Sequence, residues 1–171
     1  MPLKPAGSAI RIEFRPCLRA SRGKLRSGDG GGIEVHAGTF LRERRVVLDS
    51  ELTERPIELA RILIHELYHF VWIRLGNRVR RSYEELLAGE IRQGERGELG
   101  WSAEHRKNSL RERDWNGRTR RWREYACESF CDTAAWLAAG GRHPEFTLGR
   151  ECKAKRRAWF RHSEALCRIQ L

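Results

Sequence analysis

The feature that most constrains this chain is the stretch 57–76, IELARILIHELYHFVWIRLG. Ile62, Leu63, Ile64, Leu67, Phe70 and Val71 leave it almost no polar face, so a helix made from it must lie inside a core. Its ends are marked as well. Thr53 is placed to cap it, Glu54 suits the positive end of its dipole, and Pro56 falls where a missing N–H costs little. Gly76-Asn77 supplies a stop. Within this apolar helix stand His65-Glu66-Leu67-Tyr68-His69. Two histidines four residues apart share one face, about one turn and roughly 6 Å along the axis. Polar groups in such a place need partners, because burying them alone is costly. A metal is the simplest partner: both imidazoles reach one tetrahedral Zn²⁺, with Glu66 beside the open position as a general base. Core histidines bonded to backbone carbonyls are the bland alternative, and the helix context weighs against them.

The rest of the chain supplies walls for that helix. At 171 residues the sequence can bury a sizeable core, and it reads as one domain over 1–171. Residues 9–15 alternate Ile10, Ile12 and Phe14 on one side, a half-buried strand. Residues 16–32 are basic, Gly-rich and without period, and read as a loop. Residues 33–40 and 45–49 read as two strands of a hairpin. A helix is expected over 82–92, then a basic insertion over about 93–117 with Trp101, His105 and Trp115 as its only anchors. A long helix follows over 119–139, ended by Gly140-Gly141. A basic C-terminal helix over about 150–171 docks through Trp159, Phe160, Leu166 and Ile169, leaving Lys153, Lys155, Arg156 and Arg157 outside. The expected fold class is α+β: a small three-stranded sheet packed on the central helix, a second acidic helix and the basic C-terminal helix.

A catalytic zinc site has three protein ligands and one open position. Histidine at 75 would extend the motif in the metzincin manner, but Trp72 and Leu75 stand at the two diagnostic positions. The third ligand therefore lies elsewhere, among His105, Glu124, Glu128 and His143. The 119–139 helix carries Glu124, Glu128 and Asp132 at four-residue spacing, interleaved with small residues that let another helix come close.

This layout resembles the gluzincin type of zinc metallopeptidase, and among those the small intracellular minigluzincins and anti-repressor-like peptidases. The resemblance covers roughly residues 33–76 and 119–139 and implies a zincin-like fold. It also implies a glutamate ligand on the second helix, followed by a small residue three places on and Asp or Asn four places on. Glu128-Ser-Phe-Cys131-Asp132 fits that pattern, and Glu124 fits it less well. The resemblance thus implies His65, His69 and Glu128 as zinc ligands, with Glu124 as the alternative third. Asp132 is then the acceptor for the far N–H of a ligating histidine. It implies hydrolysis of a peptide or protein substrate, Glu66 taking the proton of the attacking water and delivering it to the leaving amine. Tyr83, Tyr125, His105 and His143 are candidates for stabilising the oxyanion.

Composition narrows the setting. No run approaches the ~20 apolar residues of a membrane span, and the first 14 residues lack the apolar stretch of a signal peptide. Five cysteines without paired close spacings fit reduced thiols, and with the missing signal they point to the cytoplasm. Small core residues account for them better than a structural zinc on Cys127, Cys131, Cys152, Cys167 and His162. The net charge of +11 favours acidic partners. Residues 102–123 hold eight Lys/Arg against three Asp/Glu, with Trp115 and Trp122 among them. A solvated face explains that run most simply. The competing function is a catalytically weak module of the same fold that binds nucleic acid or an acidic protein.

Overall fold

The structure, a computed structural model, describes residues 9–140, 142–163 and 166. The strands come first: β1 (Arg11–Arg15), β2 (Leu18–Ser21), β3 (Lys24–Ser27), β4 (Ile33–Glu34), β5 (Ala37–Phe40) and β6 (Arg45–Asp49). A 3-10 turn over Ser50–Glu54 leads into α1 (Pro56–Arg74) and α2 (Asn77–Arg92). Then come α3 (Trp101–Lys107), α4 (Glu112–Asn116), α5 (Arg120–Ala139) and α6 (Arg150–His162). The class is α+β, with helices gathered after two small sheets.

The first sheet has the order β1-β6-β5, with β1 parallel and β5 antiparallel to the central β6. Val46, Val47 and Leu48 of β6 are all fully buried, which requires cover on both faces. Val46 and Leu48 point one way and pack with Ile62 and Phe70 of α1. On the other face Leu25 of β3 lies against Gly38, the partner of Val47 in the ladder. A second sheet, β3-β2-β4, therefore covers the first.

This second sheet corrects the reading of 16–32 as a loop. Arg22 and Gly23 both take positive φ, 48° and 72°, which is the backbone of a tight hairpin turn between β2 and β3. Leu18 is fully buried, and its N–H donates to Asp49 Oδ2 at 2.8 Å. Leu18 and Leu25 are its apolar contacts with the first sheet, too few to leave a periodicity. The strand over 9–15 forms as expected, but Ile12 and Phe14 are exposed, since β1 is an edge of its sheet.

Helix α1 begins at Pro56 and ends at Arg74, close to the expected limits. Its N-cap is Arg55 rather than Thr53, which lies in the preceding 3-10 turn and donates to the Ser50 carbonyl. Asp49 caps that turn instead, accepting from Glu51 N–H at 3.0 Å. The helix is sandwiched between the sheet and α5, with Val71 and Trp72 packing toward α5 beside Phe130.

The stretch 93–117 is folded rather than a loose insertion. Leu99 and Ala103 are fully buried, whereas Trp101 is 57% exposed and so does not anchor it; His105 stacks on Trp101, and Trp115 is half-buried. Thr119 caps α5 by accepting from Trp122 N–H. On α6, Phe160 is buried and Trp159 half-buried, while Ile169 lies outside the described residues. Arg156 is the clear correction: its guanidinium is fully buried and contacts Glu90 at 2.6 Å and Glu98 at 2.7 Å. Lys153 is also engaged, donating to the Phe146 carbonyl at 2.8 Å. Among the described residues no helix is long and apolar enough to cross a membrane.

Candidate metal centre

The centre lies where α1 crosses α5. The i, i+4 spacing puts His65 and His69 on the face of α1 that meets α5, with ring centroids 5.0 Å apart. From α5, Glu128 sends Oε2 to within 3.2 Å of His65 Nε2 and 4.0 Å of His69 Nε2. Zn–N bonds of about 2.05 Å and Zn–O bonds of about 2.1 Å at a tetrahedral angle separate their donors by about 3.4 Å. The two spacings from Glu128 bracket that value. Glu124, one turn earlier, is on the surface and pairs with Arg120 at 2.7 Å. Neither His105, stacked on Trp101, nor His143, 3.5 Å from Glu58, stands with the pair.

Asp132 reaches His65 from behind: Oδ1 is 2.7 Å from Nδ1, which leaves Nε2 to face Glu128. Its other oxygen accepts the Ala103 N–H at 3.1 Å, so one buried carboxylate orients His65 and holds the first turn of α3. This approach needs glycine at 100, where a Cβ would overlap the Asp132 carboxylate. His69 has no carboxylate behind it. Its Nδ1 faces two thiols instead, Cys127 Sγ at 3.4 Å and Cys131 Sγ at 3.5 Å. His65, His69 and Cys131 also form a group whose donor atoms all lie within 4.8 Å of one another. Glu128 and Cys131 thus compete as third donor. Glu128 meets both histidines through Nε2, the nitrogen that Asp132 leaves available on His65, and we favour it for that reason.

The electrostatics agree with a site that binds a cation in exchange for protons. Burial disfavours charge on Glu128, but His65, His69 and Arg106 outweigh it and hold the carboxyl at about 2. Burial likewise opposes charge on His65, yet Asp132 and Glu128 push its pKa well above the imidazole range. The Cys131 thiol donates to Cys127, and with His69 it brings Cys127 down to about 6 against the cost of burial. Burial pushes Cys131 itself well up.

Glu66 is buried on the sheet side of α1, where Thr39 of β5 donates to its Oε2 at 2.5 Å. A cleft of about 400 Å³ opens beside it, between residues 33–37, the Arg61–Glu66 part of α1 and the start of α3. Ile33, 70% exposed, and Trp101 stand at its rim. Arg61 pairs with Glu58 and, at 3.2 Å, with Glu145 along the floor. Tyr83 and Tyr125 are excluded from this cleft. Both are fully buried, bonded to Thr133 at 2.9 Å and Glu98 at 2.5 Å respectively.

Three residues of the centre left no mark in the sequence. Thr39 is one of four residues in a short strand, Gly100 has an ordinary extended backbone, and Arg106 is one arginine in a basic run. Arg106 Nη2 lies 3.1 Å from Glu128 Oε1, so it holds the oxygen that does not face the histidines. The four-cysteine zinc is not assembled. Cys152 belongs to a separate cluster with Leu99 and Trp136, His162 bonds the Ala158 carbonyl at 2.7 Å, and Cys167 lies outside the described residues. No protein-family model, curated protein or solved structure matches this chain, so the reading of the centre rests on its own residues.

Proposed function

We propose that the chain is a zinc-dependent metallopeptidase of the gluzincin type, with a zincin-like fold. One observation carries the reading: His65 Nε2 and His69 Nε2 converge on the Glu128 carboxylate while Asp132 holds the far nitrogen of His65. His65, His69 and Glu128 would hold the ion, and Arg106 would keep Glu128 to one oxygen. Bound zinc would supply a Lewis acid that acidifies water and polarises a carbonyl.

The remaining work falls to the protein's own groups. Thr39 ties up Oε2 of Glu66, so the proton of the attacking water is taken on the other carboxylate oxygen and passed to the leaving amine. The buried setting of Glu66 keeps that proton from bulk solvent during the transfer. An extended peptide with an apolar side chain suits a cleft rimmed by Ile33 and Trp101. The test is cleavage of a mixed peptide library, lost on chelation and restored by zinc. Cleavage unaffected by chelator would reject the reading.

A second reading is a module of this fold that binds nucleic acid, favoured by exposed arginines on α2 and α4–α5, among them Arg78, Arg81, Arg113 and Arg121. It requires binding to DNA or RNA that falls steeply with salt and survives Glu66→Gln. Binding with a shallow salt dependence would reject it.

A further inference from the structure

The two nitrogens of His69 face different donor sets, and the peptidase reading uses only one. Nε2 is turned to Glu128 and the space shared with His65. Nδ1 is turned to the thiols of Cys127 and Cys131, at 3.4 and 3.5 Å. These cysteines are four apart on α5, so they share the helix face that meets α1. Metal bonds of about 2.3 Å to sulfur and about 2.05 Å to nitrogen, at the roughly 120° angle of a three-donor site, place S and N about 3.8 Å apart. Both observed spacings are slightly below that value. Three donors already stand at ligand distance, with no ion needed to gather them.

We propose that His69 Nδ1, Cys127 Sγ and Cys131 Sγ form a site for a thiophilic cation of the Cu(I) class, separate from the site at the Nε2 atoms. Two thiolates and one imidazole are the donors such an ion selects. Zinc in a structural site takes four ligands, and Cys131 is fully buried, so water is a poor fourth donor here. Binding forms two S–Cu bonds and one N–Cu bond, releases to solvent whatever protons the two sulfurs and Nδ1 carry in the free site, and transfers no electron. Cys127 is only half-buried and offers the way in.

The site also makes the two ions compete. A neutral imidazole has one lone pair, so a cation on Nδ1 leaves the proton on Nε2. His69 then ceases to be available beside His65 and Glu128. This exclusion rests on the zinc reading, whereas the thiophilic site rests on its own three donors.

The experiment uses the full chain, reduced and without oxygen, titrated with Cu(I) against a chromogenic Cu(I) chelator. Copper X-ray absorption is read on the wild-type protein, so this arm needs no variant to fold. The expected result is about one Cu(I) per chain won from the chelator, in a sphere of two sulfurs and one nitrogen. Cys127→Ser, at the half-buried position, should lower that affinity by more than about 100-fold, while His65→Ala should leave it within about twofold. Three outcomes would each overturn the site: capture unchanged in Cys127→Ser, loss of capture in His65→Ala, or a sphere without nitrogen. Copper-loaded chain should take up no zinc, and full zinc uptake beside the copper would overturn the exclusion. A wild-type chain that never binds zinc would sink the peptidase reading and leave the copper result to decide this site alone.

Discussion

Replacing Arg156 with methionine removes the one guanidinium that serves two buried carboxylates. Arg156 is fully buried; Glu98 is fully buried and Glu90 nearly so. The guanidinium bonds both, at 2.6–3.1 Å, and once it is gone Glu98 keeps Lys107 at 3.2 Å, the Tyr125 hydroxyl at 2.5 Å and the Ser129 hydroxyl at 3.5 Å. Removing one partner of a buried ion pair costs about 3–5 kcal/mol, because the remaining charge has lost its compensation. For a chain of this length each kcal/mol moves Tm by about 2–4 °C, so a fall of about 6–20 °C is expected in a thermal melt. Adding Glu90→Leu should recover part of the loss, since it removes the buried carboxylate left without its cation, while Glu98 still holds Lys107 and Tyr125. The acid limb gives an independent check. Burial opposes charge on Glu98, but Arg156 and Lys107 prevail and hold its carboxyl at about 2 against the ordinary 4.5. A carboxyl depressed in the fold contributes stability above pH 4.5 and loses it as pH falls toward about 2. Glu90, pushed up by burial despite Arg156, works in the opposite sense and softens that limb. Glu98 contacts both cations, so its sign dominates. A loss below about 1 kcal/mol in Arg156→Met, the range of a surface pair, would refute the reasoning.

Two further predictions concern the centre. Glu66→Gln should keep the fold and any bound zinc while lowering hydrolysis by about 10²–10⁴-fold, and Thr39→Val should lower kcat less, by roughly 10-fold. Equal activity of Glu66→Gln and wild type would remove Glu66 from the chemistry. Asp132→Ala should weaken zinc by about 10–100-fold without abolishing it, measured by competition with a chelator. Gly100→Ala should act in the same direction, because its Cβ presses on Asp132 and overpacking costs about 1–3 kcal/mol. An alanine that raised Tm there, as one does at an open extended position, would show that Asp132 is not held as described.

What was legible in the sequence was what a period or a motif writes down. Helix α1 announces itself by apolar residues on all sides, α5 by its small and acidic residues at helical spacing and the Gly140-Gly141 stop, and the central strand β6 by an unbroken run of Val and Leu. The preference for Glu128 over Glu124 came from a family pattern, and the structure brings Glu128, and not Glu124, to the histidines. The β2–β3 hairpin leaves no period because its apolar contacts are two leucines, and its backbone is tied to an aspartate thirty-one residues away. Arg156 looks solvated in the sequence because it is a charged residue on a basic helix. Only the approach of α2 and the 93–100 segment shows that two glutamates wait for it. Each thiol behind His69, taken singly, fits the description of a small core residue. What they face is decided by the crossing of α1 and α5, and no local spacing encodes that.

The central claim is that His65, His69 and Glu128 share one ion, and metal content measures it directly. Chain purified without added zinc, then exposed to zinc and dialysed, should hold about one zinc at neutral pH. His65→Ala and Glu128→Ala should each abolish that stoichiometric binding, while Glu124→Ala, altered only at a surface pair with Arg120, should retain it. A folded wild-type chain that takes up no zinc would contradict the account, as would a Glu124→Ala chain stripped of metal beside a Glu128→Ala chain that keeps it.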